Sequence, residues 1–227
     1  MIYHENREYE SGFPIHSRIF NNINFLAHWH AEIEIVTVLE GCLLMGINSM
    51  AKILKKGDIA ICTGGDIHYY ESKNGKSTVL VTVFRPELLK GVINMSSDIN
   101  FVYPFIDKAA IESIDIKPSV LTEIDNCISC IYKELNTQDK CYQIIVKSHL
   151  LQLMGLFLRY LPQQSNNQDC NIKKCGNIRL VQEAIKYIES NYMNDISLED
   201  VSAYLGISPA YFSKKFSSVT GQNYKTY

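Results

Sequence analysis

The chain has 227 residues, 46% of them apolar and 20% charged, with a formal net charge of −2. That balance suits a chain that buries a core, as one large domain or two modest ones, and it excludes a protein held to nucleic acid by overall charge. The acids in the opening MIYHENREYE, and the lack of any apolar run near the ~18 residues a bilayer needs, predict no secretory signal and no membrane span. Seven scattered cysteines, at 42, 62, 127, 130, 141, 170 and 175, fit reduced thiols in the cytoplasm better than a disulfide framework. Cys127 and Cys130 have the spacing of a zinc or redox pair, but no second pair accompanies them, and they read as two cysteines on a helix.

From Pro14 to Phe84 the sequence predicts short strands broken by turns. The β-branched run Ile33–Leu39 ends at the turn signal Glu40-Gly41, with Leu43–Ile47 as its hairpin partner. Ala51–Leu54, Ile59–Cys62 and Ser77–Phe84 follow, with corners at Asn48-Ser49, Lys55–Asp58, Gly64–Asp66 and Lys73–Lys76. Strands at this spacing imply a sandwich or a barrel.

His28, His30 and Glu34 form an H-x-H-x3-E pattern, and His68 follows the Gly64-Gly65 corner. On a single strand the first three share a parity and point to one side. Glu32 shares it too, so either a bulge turns Glu32 away or the pocket is acidic. Three imidazoles and a carboxylate can hold a divalent transition metal with positions left open, or a small polar ligand by hydrogen bonds without metal. These spacings resemble the two motifs of the cupin superfamily, with Thr63 where Pro is usual and Ser72 where many members have Asn. The resemblance implies a small double-stranded β-barrel over residues 1–110. His28, His30, Glu34 and His68 are then the candidate metal and effector set, with Trp29, Tyr69 and Tyr70 as pocket or rim aromatics and Trp29 and Tyr70 counted with the effector-binding residues.

A helical region follows over residues 111–162. Leu121, Ile124, Ile128, Ile131 and Leu135 recur at steps of three and four, as one helix face requires. In Gln143–Leu161 the positions Ile145, His149, Gln152, Leu153, Leu156 and Tyr160 recur in the same way, with apolar residues on either side. The two helices are expected to pack antiparallel or against a partner subunit, giving a homodimer. Pro162 stops the second, and residues 163–175, around QQSNNQD, read as a polar linker.

The last region spans residues 176–227, with Ile178, Val181, Ile185, Ile188 and Tyr192 on one helix face. Ser197 and Asp200 have the spacing of a capping box, opening a helix Leu198–Leu205 that Gly206 ends. Ser208 and Pro209 open the next helix as N-cap and first turn, and Gly221 closes it. Phe212, Phe216 and Val219 form its buried face, while Ala210, Ser213, Lys214 and Ser217 lie opposite. Two short helices joined by a tight Gly turn have the geometry that places the second in a DNA major groove. Ser213 and Lys214 would reach bases, and Lys215 or Lys225 phosphate. Charge in this region is balanced, so the reading depends on local placement.

The stretch ISLEDVSAYLGISPAYFSKKFSSVTGQNYKTY resembles the first helix-turn-helix of the AraC/XylS family of bacterial regulators. Val201, Leu205, Gly206, Ser208, Phe212, Phe216 and Gly221 fill the family's positions, with Ser202 where Ala is usual. The resemblance implies that Ser208, Pro209, Ala210, Ser213, Lys214 and Lys215 form the DNA-binding set. It also implies a second such unit after a long helix, and a chain ending at Tyr227 is expected to bind double-stranded DNA weakly. In such regulators the barrel senses an effector such as a sugar, and the intact protein works on RNA polymerase. The whole reads as an α+β, effector-responsive transcription regulator that is not an enzyme and requires no cofactor. A metal-dependent cupin oxygenase or isomerase, and a sensor-only dimer acting on other regulators, are the alternatives.

Overall fold

Two long antiparallel strands organise the amino-terminal half, and both bend midway. The computed structural model describes residues 9, 12–91, 101–163, 168–191, 193 and 195–224, with side chains outside 73–75 and 168–175. Its strands are β1 (Ile15–Asn21), β2 (Asn24–His28), β3 (Ile33–Ile47), β4 (Met50–Lys55), β5 (Ile59–Cys62), β6 (His68–Phe84) and β7 (Phe105–Ile106). β3 and β6 pair from Ile33 opposite Phe84 to Ile47 opposite His68, with register shifts at Val38/Glu40 and Gly41/Leu43.

The hairpin expected between residues 33–39 and 43–47 is therefore one continuous strand, and the corner expected at 73–76 lies inside β6. Gly41 takes φ +73°, and a Cβ there would run into the Lys76 carbonyl. A left-handed glycine serves a β-bulge as well as a turn, so its presence alone does not separate the two. The Asn48-Ser49 turn does form, as the two-residue loop between paired Ile47 and Met50.

Bending splits the sheet into two layers. One is β1–β6–β3–β5–β7; the other joins β2 to the first part of β6 and β4 to the last part of β3. Between them Val36, Val38, Leu43, Met45, Leu54, Val79, Val81 and Phe105 fill the interior of a double-stranded barrel. The alternate residues Ile33, Ile35, Ile59, Ile61, Leu80 and Phe84 point the other way, onto helices.

Those helices are α1 (Lys108–Ile114), α2 (Pro118–Thr137) and α3 (Tyr142–Tyr160). α2 buries Ile124, Ile128 and Ile131 as its periodicity predicts, with Leu121 and Leu135 partly covered. α3 buries the expected Leu153 and Leu156, but together with Val146, Leu150, Met154 and Phe157 rather than Ile145, His149, Gln152 and Tyr160, and Ile144 and Ile145 stay exposed. Its apolar residues run round most of the helix, so spacing alone does not fix which stripe faces inward.

The carboxyl-terminal helices are α4 (Gln168–Asn191), α5 (Leu198–Tyr204) and α6 (Pro209–Thr220). α4 starts within the expected linker 163–175, and Gly176, expected to open this region, sits inside it. Residues 168–175 contain no proline, and a glycine within a helix costs only about 1 kcal/mol. Tyr192 and Lys225 lie outside the described residues. The capping box of Ser197 with Asp200, the N-cap Ser208 and the left-handed C-cap Gly221 are all present, as the sequence predicts.

Leu153 is fully buried in the apolar cluster that α3 shares with α2. Leu153→Ala should lower unfolding free energy by about 2–5 kcal/mol in urea denaturation. A loss below about 0.5 kcal/mol would show that α3 does not pack there.

Candidate functional site

At one end of the barrel His28, His30, Glu34 and His68 each offer a ligand atom, and these atoms lie within 4.8 Å of one another. All four are buried. The expectation that one strand carries the first three is corrected by a bend at Ala31-Glu32, so that Glu34 stands on β3 while His28 ends β2. The two layers supply the set jointly. His28 pairs in register with His68 across β2 and β6, and Glu34 with Cys62 across β3 and β5.

Backbone carbonyls fix two of the rings. His28 Nδ1 donates to the Leu26 carbonyl at 2.9 Å, and His68 Nδ1 to the Asp66 carbonyl at 2.9 Å. Each ring then turns its Nε2 toward the shared space, the arrangement that second-shell bonds impose on metal-ligating imidazoles. His30 Nε2 is 3.3 Å from Glu34 Oε2. His68 Nε2 stands 3.6 Å from Glu34 Oε1, beyond ordinary hydrogen-bond length. Centroid separations of 4.1 Å for His28–His68 and 4.9 Å for His30–His68 keep the three rings clustered.

Burial alone would push the Glu34 carboxyl up, but the imidazoles of His68 and His30 outweigh it and hold the group well below its ordinary value. Burial likewise lowers His68, while the Glu34 charge and the Asp66 carbonyl raise it above the usual imidazole value. His28, farther from the carboxylate's pull, is driven down to about 2 by burial and then by His68. The cluster thus holds an ionised carboxylate and at least one neutral imidazole with its lone pair facing inward.

The bend at Ala31-Glu32 takes Glu32 out of the ligand set. Its side chain is buried, with a carboxylate oxygen 3.6 Å from His30 Nδ1 and the other 3.5 Å from Arg85 Nε. Glu32 thus stands behind His30 against Arg85 and is not among the four residues whose ligand atoms come together. Tyr70 is buried beside the rings, 5.9 Å from His28 and 5.8 Å from His68 between centroids. Trp29, expected in the same pocket, faces outward onto α4, with Lys186 Nζ 5.3 Å from its ring centre. It sits between two inward histidines, so alternation along the chain sends it to the opposite face, as it does Tyr69 next to His68.

Two further residues carry the site. Asp66 accepts from the Thr63 amide at 2.7 Å, the Thr63 hydroxyl at 2.8 Å and Asn48 Nδ2 at 2.6 Å, bracing the corner that delivers His68. An acid three residues after a threonine, beside two glycines, was the available signal. Cys62 is buried, and burial pushes its thiol up, with Glu34 and Asp66 adding to that.

At the other end of the chain Phe212 and Phe216 are buried against α4, and Ala210 and Lys214 are exposed on the opposite side of α6. Ser213 and Lys215 are half-buried, the latter with its Nζ 5.4 Å from the Tyr211 ring centre. Ser208 is exposed and caps the helix by accepting from the Tyr211 amide at 3.3 Å, while Pro209 is half-buried.

Residues 11–154 match the family model of the AraC-like ligand binding domain. The chain belongs to this family. It is 27% identical over 139 residues to the regulatory protein PocR of Salmonella typhimurium, which covers 59% of the chain and 44% of that relative. An HTH-type transcriptional regulator of Pseudoalteromonas carrageenovora is 35% identical over 60 residues, 26% of the chain and 34% of the relative. The chain thus spans less than half the length of either regulator it matches. Among solved structures, apo ToxT of Vibrio cholerae aligns over 94% of the chain and 96% of its own at 10% identity and a TM-score of 0.40. Oxalate decarboxylase of Bacillus subtilis aligns over 33% of the chain and 22% of its own, at 16% identity and a TM-score of 0.31.

Because His28 combines a bonded Nδ1 with a strongly lowered pKa, it should stay neutral and Nδ1-protonated from pH 8 to pH 5. Nitrogen-15 NMR of the imidazoles checks this directly. An Nε2–H tautomer, or protonation of His28 above pH 5, would contradict the geometry.

Proposed function

We propose that the protein is an effector-responsive, sequence-specific DNA-binding transcription regulator. In this reading α5 and α6 form the helix-turn-helix, and the barrel cluster is where a small polar effector, such as a sugar, is sensed. The observation that carries it is the coexistence in one chain of a closed, four-residue ligand cluster and a capped amphipathic helix with an exposed small-and-basic face. Its curated relatives are regulatory proteins, which supports a regulator over an enzyme.

The donor set fits a divalent transition metal. Two Nε2 atoms are aimed by backbone bonds, and an ionised carboxylate lies among them. His28, His30, Glu34 and His68 would hold the ion, which would supply a Lewis-acidic point for an oxygen-bearing effector. Tyr70 would then pack against the bound molecule. The DNA-reading side rests on Ala210, Ser213 and Lys214 for bases, with Ser208, Pro209 and Lys215 at the helix start and the phosphates. The protein would act in the cytoplasm as a homodimer through α3, where Ile144 and Ile145 are exposed. RNA polymerase would be the downstream partner of the intact regulator.

Calorimetric titration of chelator-free protein with Mn2+, Ni2+ or Zn2+ should show one site per chain. Glu34→Gln should weaken it at least about 100-fold. Absence of uptake would leave a metal-free polar site, whereas turnover of a small substrate by the loaded protein would favour a cupin enzyme over a regulator.

Selection from a random duplex pool at low salt should enrich one sequence. Lys214→Ala should weaken that complex and reduce the slope of log affinity against log salt. A pool that stays random after repeated selection would contradict the DNA-reading assignment.

A further inference from the structure

The strand ends that deliver the histidines have an outer face, and that face is not turned to water. On β2 and its extension His28 and His30 point inward, while Ala27 and Trp29 point outward; at the start of β6 His68 and Tyr70 point inward, while Ile67 and Tyr69 point outward. Ala27 and Ile67 are fully buried in one apolar cluster with Val181, Ala184 and Ile185 of α4 and Phe212, Phe216 and Val219 of α6. The helical region therefore completes its core with two barrel residues.

Specific contacts fix the register of this seam. Gln182 Nε2 of α4 donates to the Gly65 carbonyl at 2.6 Å, and the Gly65 amide donates to the His30 carbonyl at 2.8 Å. Two hydrogen bonds thus connect α4 with the backbone of a cluster residue. Lys186 covers the Trp29 ring from the same helix. The Tyr69 ring lies over Gly46, where a Cβ would collide with it, and against Gly221 at the end of α6. A Cβ at Gly221 would come within 2.6 Å of the Tyr69 hydroxyl, so this glycine is needed for close approach as well as for its φ of +71°.

We propose that this seam is the element through which the barrel cluster controls the DNA-reading helix. The proposal rests on the reading of the cluster as the ligand site and of α6 as the reading helix. An occupant that draws His28, His30 and His68 toward one point fixes the end of β2 and the 63–68 corner. The reverse faces of those same segments hold α4 and α6. Because successive side chains on a strand are rigidly opposed, ordering the inner set orders the outer set. Occupancy therefore tightens docking of the helices on the barrel, a coupling between two sites that share one structural element.

Hydrogen exchange read by mass spectrometry tests this, with Zn2+ as the probe and chelator-treated protein as the reference. Zn2+ should slow exchange in peptides covering 27–37 and 60–70. It should also slow exchange at least about fivefold in peptides covering 178–191 and 209–221. In Gln182→Ala and Tyr69→Ala the barrel response should persist while the helix response shrinks. Barrel protection with no change in the helices, or a full helix response in both variants, overturns the coupling and leaves the ligand site standing. If Zn2+ protects nothing, the metal reading fails and a second comparison decides the coupling without metal. His68→Asn should then speed exchange in 178–191 beyond a Leu153→Ala control of matched overall stability. Equal exchange in the two overturns the proposal.

Discussion

A carboxylate sealed from water must find its countercharge among its neighbours, and the end of the barrel is arranged around that requirement. Glu34 is fully buried, and without the imidazoles of His30 and His68 its ionised form would cost several kcal/mol. With them, it is held ionised. His68 is in turn held by the Asp66 carbonyl, as His28 is by that of Leu26, and Asp66 by Thr63 and Asn48, so the constraint reaches out to the β3–β4 hairpin tip. A site organised in this way is charged, fixed and closed. Those properties suit recognition of an ion or a small polar molecule more than burial of an apolar one.

The second organising fact is alternation. The same period of two that sends His28, His30 and His68 inward sends Ala27, Trp29, Ile67 and Tyr69 into the core of the helical region. Membership of the AraC-like ligand binding family accounts for a barrel that senses. The backs of the strands that carry the cluster pack on α4 and α6, whereas α2 and α3 lie on the other side of the sheet.

Much of this was legible from the residues. The caps around α5 and α6 follow from Ser197, Asp200, Ser208, Pro209 and Gly221, because capping chemistry is local. The four candidate ligand residues were legible from motif spacing, and the structure brings their side chains together. What was not legible depends on pairings distant in sequence. Gly41 reads equally as a turn or a bulge until β6 is known to run past it unbroken. Trp29 joins the pocket if judged by residue type and leaves it once alternation is applied. The inward stripe of α3 is set by its packing on α2, since its apolar residues cover most of the helix. α4 reaches back to Gln168 because polarity is no barrier to a helix.

In the proposed regulator the barrel cluster and DNA reading belong to one switch. The most direct measurement is the affinity of the full chain for its selected duplex, by fluorescence anisotropy at fixed salt, with the barrel site filled by Zn2+ and then stripped by chelator. The two affinities should differ at least about fivefold, with the difference lost in Glu34→Gln. Equal affinities for filled and stripped protein, with Zn2+ bound in the barrel, would contradict a single switch.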